Sequence, residues 1–239
     1  MNKALALLFV TWILGFGLPA GAQKTPDKPT SHTQRMVQGW KVRVDDRLLT
    51  GPQAALGTRA LARLDHQLSD VVMLMHPEQL AHLQAVTIQL DYTNGDLKSP
   101  QYHPNGEWLV EHGYDKALEK CVHIPDATYY VGTRFQREQP FAIMHELAHS
   151  YHDQVLNFDN PEILEAYHNF EKSGKYNSVL HISGHMERHY ALTNQMEFFA
   201  EMTESYFGAN DFYPFNSAEL QKEEPVLFKL LQKIWGPLP

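Results

Sequence analysis

Residues 140–155 read PFAIMHELAHSYHDQV, a stretch that combines a helical pattern of apolar residues with three histidines. Pro140 suits the first turn of a helix, where the N–H that proline lacks has no intrahelical partner in any case. Apolar residues recur through the segment at helical spacing, so we predict an α-helix with one face in a core. The residues predicted to face that core are Ile143, Met144, Leu147, Ala148, Tyr151 and Val155.

Two histidines of this helix, His145 and His149, lie four residues apart, and Glu146 directly follows the first. At about 100° per residue their directions differ by only ~40°, so both imidazoles face the same way, one turn apart. Two neutral histidines so placed can hold zinc, with a third protein ligand and a water completing the site. Glu146 would accept a proton as the zinc-bound water attacks a carbonyl. The pattern predicts a zinc-dependent hydrolase, although so short a motif also arises by chance.

Other histidines are weaker candidates for the metal site. His152 shares the face of His145, but a tetrahedral site takes its third ligand from another element. We therefore interpret His152 as a neighbour of the site or as a solvated residue. His185 and His189 are also four residues apart, on a helix predicted over 185–192. Because no glutamate follows His185, that spacing favours an ordinary surface pair.

A second helix that could supply the third ligand is predicted over 195–207, with Asn194 as its N-cap and Gly208 at its end. Its acidic residues form one stripe: Glu197, Glu201 and Glu204. By itself such a stripe is typical of a solvated face, and Glu197 is also placed to close a capping box with Asn194. The histidine pair upstream makes this helix the best place to seek the third ligand.

The order of these residues resembles the catalytic domain of anthrax lethal factor and related secreted proteases, a group that includes the bacterial Pro-Pro endopeptidases. The matching residues are His145-Glu146-x-x-His149, Tyr190 and, after six intervening residues, Glu197-Phe198-Phe199-Ala200-Glu201. The likeness spans residues 140–208, and the interval between the two helices differs from the family.

The resemblance implies a role for each matching residue. Glu197 would be the third zinc ligand, and Glu201, one turn later, would orient a ligand histidine. Tyr190 would donate its hydroxyl to the oxyanion of the tetrahedral intermediate, whereas the alternative for it is an ordinary half-buried tyrosine. One Zn²⁺ per chain is expected.

The periodicity of the remaining chain predicts few strands early and mostly helices late. Strands are predicted over 37–49, 86–90 and 121–124, with a turn at Asn94-Gly95. Helices are predicted over 54–75, 77–83, 113–120, 140–155, 161–172, 185–192, 195–207 and 217–234. This order predicts a single α+β domain over 36–239, with a small mixed sheet packed on a mostly helical, zincin-like C-terminal part.

The N-terminus has the pattern of an export signal. Lys3 is followed by an apolar run and then by small residues at Ala20 and Ala22, which predicts a signal peptide over 1–22, cleaved after Ala22. An uncleaved membrane anchor is the alternative. The polar segment 23–35 is predicted to be a flexible leader or a short propeptide. A secreted or periplasmic protein is therefore expected, with no stable membrane anchor after cleavage.

Charge and cysteine content exclude other classes of function. The chain has a formal net charge of −8, and such a surface repels phosphate backbones, so nucleic acid is not an expected partner. The single cysteine, Cys121, cannot form an internal disulfide and is interpreted as a buried, inert thiol.

These patterns together predict a secreted zinc-dependent endopeptidase that acts on peptides or proteins, with Glu146 as the general base. Two alternatives are also compatible with the sequence. The chain could be an inactive zinc-binding module that recognises a protein partner, or a metal-dependent amidase that acts on cell-wall peptides.

Overall fold

The computed structural model describes residues 27–239. The predicted signal peptide and the first residues of the predicted leader lie outside this range. Within it, no helix is both long enough and apolar enough to cross a membrane.

A five-stranded sheet forms the N-terminal part, in the order β1-β2-β3-β5-β4. Its strands are β1 His32–Val37, β2 Trp40–Asp45, β3 Ile88–Leu90, β4 Gln101–Tyr102 and β5 Val122–Ile124. β1 and β2 form an antiparallel hairpin, β2, β3 and β5 run parallel, and β4 lies antiparallel to β5 at one edge. The buried Val, Ile and Leu of the three parallel strands alternate with polar residues at Arg43, Gln89 and His123, so one face of the sheet is apolar and packs in the core.

The crossover from β2 to β3 consists of helices α1 Ala54–Leu74 and α2 Pro77–Gln84. A parallel connection needs such a crossover because the chain must return to the same end of the sheet. The buried side of α1 carries Leu64, Leu68 and Val71, and this helix contacts α6 of the C-terminal part.

The C-terminal part is mostly helical, with a second, two-stranded sheet of β6 Val179–Leu180 and β7 Met186–Glu187. The remaining helices are α3 Gly106–Glu111, α4 Ala127–Tyr130, α5 Thr133–Glu138, α6 Ala142–Tyr151, α7 Pro161–Ser173, α8 Gln195–Phe207, α9 Ser217–Glu223 and α10 Pro225–Trp235. α6 lies between the sheet, where it contacts β4 and β5, and α8. Trp235 of α10 closes the core against Tyr151 and Phe199, with ring centroids 4.6 and 5.8 Å away.

The predicted α+β class is confirmed, with the small mixed sheet early and the helices late. The predicted helix over 195–207 has the bounds of α8, and Asn194 caps it by accepting hydrogen bonds from the N–H groups of Met196 and Glu197. Gly208 ends it with a φ of 131°, a conformation that favours glycine.

The helix predicted over 185–192 is wrong, because tertiary pairing overrides its periodicity. Residues 186–187 belong to β7, and only 190–192 form a single 3₁₀ turn. Gly184, at a φ of 92°, lies in the turn that brings β7 back alongside β6. His189 is fully buried among aromatic rings, so the surface pair with His185 is also wrong.

Other boundaries shift for local reasons. The helix predicted over 217–234 is broken at Pro225, because a residue before proline disfavours the helical conformation and Glu224 has a φ of −134°. The short helix predicted over 113–120 is absent, since α3 ends at Glu111 and only one 3₁₀ turn follows. The strand predicted over 37–49 contains the β1–β2 turn at Gln38-Gly39.

Two corrections concern the ends of predicted elements. Strand β1 begins at His32, so the last residues of the predicted leader 23–35 pair with β2 instead. The helix predicted from Pro140 begins at Ala142 and continues as a π-helix to Leu156. The wider turn of the π-helix points Val155 away from the core. Its side chain is 39% exposed, so its predicted place in the core is wrong.

Candidate metal centre

Two neighbouring helices bring together the three side chains predicted to hold a metal. His145 and His149 come from α6, and Glu197 comes from the first turn of α8. Glu197 Oε2 lies 3.1 Å from His145 Nε2 and 3.2 Å from His149 Nε2. One ligand atom of each residue falls within 4.8 Å of the others.

This spacing fits a tetrahedral zinc site. Ligand atoms about 2.0–2.1 Å from such a zinc lie roughly 3.3 Å from one another, close to the two distances from Glu197 Oε2 to the imidazoles. The donor set of two imidazoles and one carboxylate is one that zinc hydrolases use, with the fourth position left open. The residues present therefore fit a zinc ion.

The Asn194 cap and the two imidazoles fix the position and charge of Glu197. The cap holds the backbone at the start of α8, since its side chain accepts from Glu197 N at 2.9 Å. Burial alone would raise the pKa of Glu197, but nearby His149 and His145 outweigh it and hold that pKa far below its ordinary value. Glu197 is therefore an anion at neutral pH, as a metal ligand must be.

The second nitrogen of His145 contacts a different glutamate from the one that the resemblance implied. His145 Nδ1 lies 2.7 Å from Glu204 Oε1, whereas Glu201 Oε1 is 3.7 Å away. A donated Nδ1–H leaves the Nε2 lone pair free for a metal. Glu204 is thus the residue placed to orient His145, and Glu201 lies beside the pair.

Glu146 faces the same cleft as the two histidines and is held by the edge of the sheet. The backbone N–H of Tyr102 on β4 donates to Glu146 Oε2 at 2.7 Å. Burial raises the pKa of Glu146 above its ordinary value, although the neighbouring His145 and His149 oppose the shift. A carboxylate with a raised pKa is a better proton acceptor near neutral pH.

Tyr190 lies in the wall of the cleft that contains these residues. The cleft has a volume of about 800 Å³, and its wall includes His145, Glu146, His149 and Glu197 as well. Partial burial raises the pKa of Tyr190, and the negative charge of Glu197 adds to that rise. The hydroxyl of Tyr190 therefore keeps its proton at neutral pH and can donate a hydrogen bond into the cleft.

His152 and His185, the weaker metal-ligand candidates, lie outside this centre. His152 is buried against Phe158 and Phe199, so the solvated alternative for it is wrong. Neither of its ring nitrogens has a hydrogen-bond partner among residues 27–239, and burial lowers its pKa to about 3. His185 lies in the β6–β7 turn beside His181.

Two residues that shape the centre had no assigned role in the sequence analysis. Glu204 was visible only as the end of the acidic stripe, although its spacing of seven residues from Glu197 puts both on one face of α8. Tyr102 acts through its backbone N–H, so no side-chain pattern could have identified it.

Comparison of the chain with protein-family models, with curated proteins and with solved structures gives no match. The resemblance to the lethal factor family therefore stays a prediction.

Proposed function

We propose that the chain is a zinc-dependent endopeptidase. The observation that carries this proposal is the convergence of His145, His149 and Glu197 on one point of a cleft that also contains the carboxylate of Glu146. Two imidazoles, one carboxylate ligand and a separate, partly buried carboxylate are the groups that metal-assisted hydrolysis requires. Each of them comes from a helix or is held by a strand, which favours a preorganised site.

Each residue then has a distinct task. Bound Zn²⁺ would polarise the scissile carbonyl and lower the pKa of a water molecule. Glu146 takes a proton from the water molecule as the water oxygen attacks the carbonyl carbon. It later delivers that proton to the nitrogen of the leaving amine as the C–N bond breaks. Tyr190 donates a hydrogen bond to the carbonyl oxygen as negative charge develops on it. Glu204 holds the ring of His145 in place.

Edge strand β4 supports a peptide as the substrate. On one side His103 N donates to Cys121 O of the sheet at 3.1 Å, whereas Tyr102 N donates on the other side, towards Glu146. The free edge of β4 thus borders the cleft, with Ser99 and Gln101 in the cleft wall. An extended peptide can add to such an edge by donating its backbone N–H groups to carbonyls of the strand, which would lay the peptide along the cleft next to Glu146.

Cleavage of a diverse peptide library by the zinc-loaded protein tests the proposal. We expect cleavage at internal bonds, and we expect Glu146→Gln to keep its zinc while kcat falls by roughly 10²–10⁴. Glu138→Gln is the matched control, because Glu138 also lines the cleft but pairs with Arg134 at its rim. A zinc-loaded parent that cleaves no peptide would instead favour the inactive binding module. Cleavage of cell-wall peptides alone would favour the amidase.

We also infer that the protein acts outside the cytoplasm, from the sequence of residues 1–22. The N-terminal sequence of the protein recovered from a periplasmic or culture fraction tests this. A mature chain that begins at Gln23 is expected, whereas recovery of the full-length chain from the cytoplasm alone would contradict export.

A further inference from the structure

A second group of side chains that could hold a metal ion lies on the β6–β7 hairpin. The hairpin pairs Val179 with Glu187, and its turn is closed by a hydrogen bond of 2.9 Å from His181 N to His185 O. Directly opposite residues share a face of a hairpin, as do residues two apart on one strand. His181, His185 and Glu187 therefore project from one face.

The three side chains approach one another as metal ligands do. Glu187 Oε1 lies 2.9 Å from His185 Nε2 and 3.7 Å from His181 Nδ1. One ligand atom from each residue falls within 4.8 Å of the others. Ser183 Oγ lies between the rings, 2.5 Å from His181 Nδ1 and 2.8 Å from His185 Nδ1.

A buried carboxylate lies behind His181, on the side of the ring away from Glu187. Asp211 is only 2% exposed, and its Oδ2 lies 3.7 Å from His181 Nε2. Asp211 Oδ2 accepts a hydrogen bond from Gln139 Nε2, whereas Oδ1 has no hydrogen-bond partner among residues 27–239. A histidine that binds a metal through one nitrogen usually faces a carboxylate, carbonyl or water with the other, as His145 faces Glu204.

Backbone hydrogen bonds fix this carboxylate relative to the hairpin. Ile182 N donates to Asp211 O at 2.7 Å, and Tyr213 N donates to Leu180 O at 3.0 Å. These bonds tie the part of the hairpin that carries His181 to segment 211–213, while His185 and Glu187 stay accessible at the surface. The arrangement has one rigid ligand and two that solvent can reach.

We propose that His181, His185 and Glu187 form a second metal site, separate from the candidate metal centre, which binds Zn²⁺. Imidazole and carboxylate donors suit zinc, whereas magnesium and calcium prefer oxygen ligands alone. The site binds more weakly than the first, because His185 and Glu187, with side chains 59% and 41% exposed, lose conformational freedom when they coordinate.

The proposed second site lies next to the cleft and to the segment that carries Tyr190. His181 and Asp211 lie in the cleft wall, and Glu187 comes three residues before Tyr190. A metal held by both sides of the hairpin therefore restrains the segment that carries Tyr190.

Zinc titration of the mature chain against a competing fluorescent chelator, with bound zinc counted by mass spectrometry, tests the second site. The parent is expected to bind one zinc tightly and a second more weakly. His185→Ala and Glu187→Gln should each weaken the second binding step by roughly 10-fold or more and leave the first unchanged. Both residues are exposed, so the zinc-free variants should melt at the temperature of the parent.

His66→Ala is the matched control, because His66 is an exposed histidine whose Nδ1 lies 3.5 Å from the carboxylate of Asp70. It should keep both binding steps. Identical titration curves for the parent and His185→Ala would overturn the second site, and so would an equal loss in His66→Ala. His149→Ala separates the two proposals: if it changes neither step, the candidate metal centre fails, whereas the hairpin site still depends on His185→Ala.

Discussion

The Nδ1 atom of His145 lies 2.7 Å from Oε1 of Glu204, a glutamate two turns along α8 from Glu197. This contact joins the first half of α6 to the last turn of α8, and Glu204 is only 1% exposed. Because Glu197 approaches the other nitrogen of the same ring, α8 holds His145 from both sides. The orientation of the imidazole is therefore built into the packing of the two helices.

The three glutamates of α8 should differ in their effect on zinc binding. Glu197→Ala should yield a largely metal-free protein because a ligand is lost. Glu204→Ala should weaken binding by about 10–100-fold because the ring of His145 is no longer fixed. Glu201→Ala should have the smallest effect of the three, since Glu201 Oε1 is 3.7 Å from His145 Nδ1. Titration against a competing chelator measures the ranking, and a larger loss in Glu201→Ala than in Glu204→Ala would contradict it.

Tyr190→Phe should lower kcat by about 10²–10³ and leave zinc affinity and the unfolding midpoint unchanged, because only the hydrogen bond to the developing oxyanion is lost. Tyr129→Phe is a close control, since Tyr129 lines the same cleft and is equally exposed, at 43%. Steady-state kinetics on a cleaved peptide compares the two. A kcat of Tyr190→Phe within about threefold of the parent would remove this residue from the mechanism.

Asn194→Ala should reduce the free energy of unfolding by about 1 kcal/mol, because two backbone N–H groups at the start of α8 lose their acceptor. It should also weaken zinc binding, since one of these groups belongs to Glu197. Asn160→Ala removes the equivalent cap of α7 and should cost similar stability without an effect on zinc. Urea unfolding and zinc titration distinguish the two variants, and equal zinc affinities would contradict the link between cap and ligand.

Asp91 should make stability depend on pH below the neutral range. Burial alone would raise the pKa of Asp91, but hydrogen bonds from His123 and His32 outweigh it and hold that pKa well below its ordinary value. The ionised carboxylate thus stabilises the fold above the unfolded pKa of about 3.9, and this contribution is lost as the pH falls towards the lower folded pKa. Urea unfolding of Asp91→Asn should show a smaller loss of stability between about pH 5 and pH 2 than the parent. Parallel losses would contradict this assignment.

Helices whose ends carry their own capping residues could be predicted closely from the sequence. Asn194 and Gly208 define α8, and Asn160 with Gly174 bounds α7, because side-chain and left-handed caps act within a few residues. The segment 185–192 has the same helical periodicity but pairs in a hairpin, since its partner strand at 179–180 outweighs local preference. Local sequence determines where a helix ends more reliably than which segments pair.

The sequence by itself determined that His145 and His149 share a helix face and that Glu197 begins a capped helix, because helical geometry fixes both from spacing alone. Only the tertiary structure decided which glutamate reaches His145 Nδ1. Glu201 and Glu204 are three residues apart and lie on the same side of α8, so their spacing does not distinguish them. The packing of α6 against α8 brings Glu204, and not Glu201, within hydrogen-bond distance of His145 Nδ1. The hydrogen bond from Tyr102 N to Glu146 was likewise decided by the fold. Every residue except proline has a backbone N–H, so the sequence does not show which one donates, and the pairing of β4 at the sheet edge sets the direction in which this N–H points.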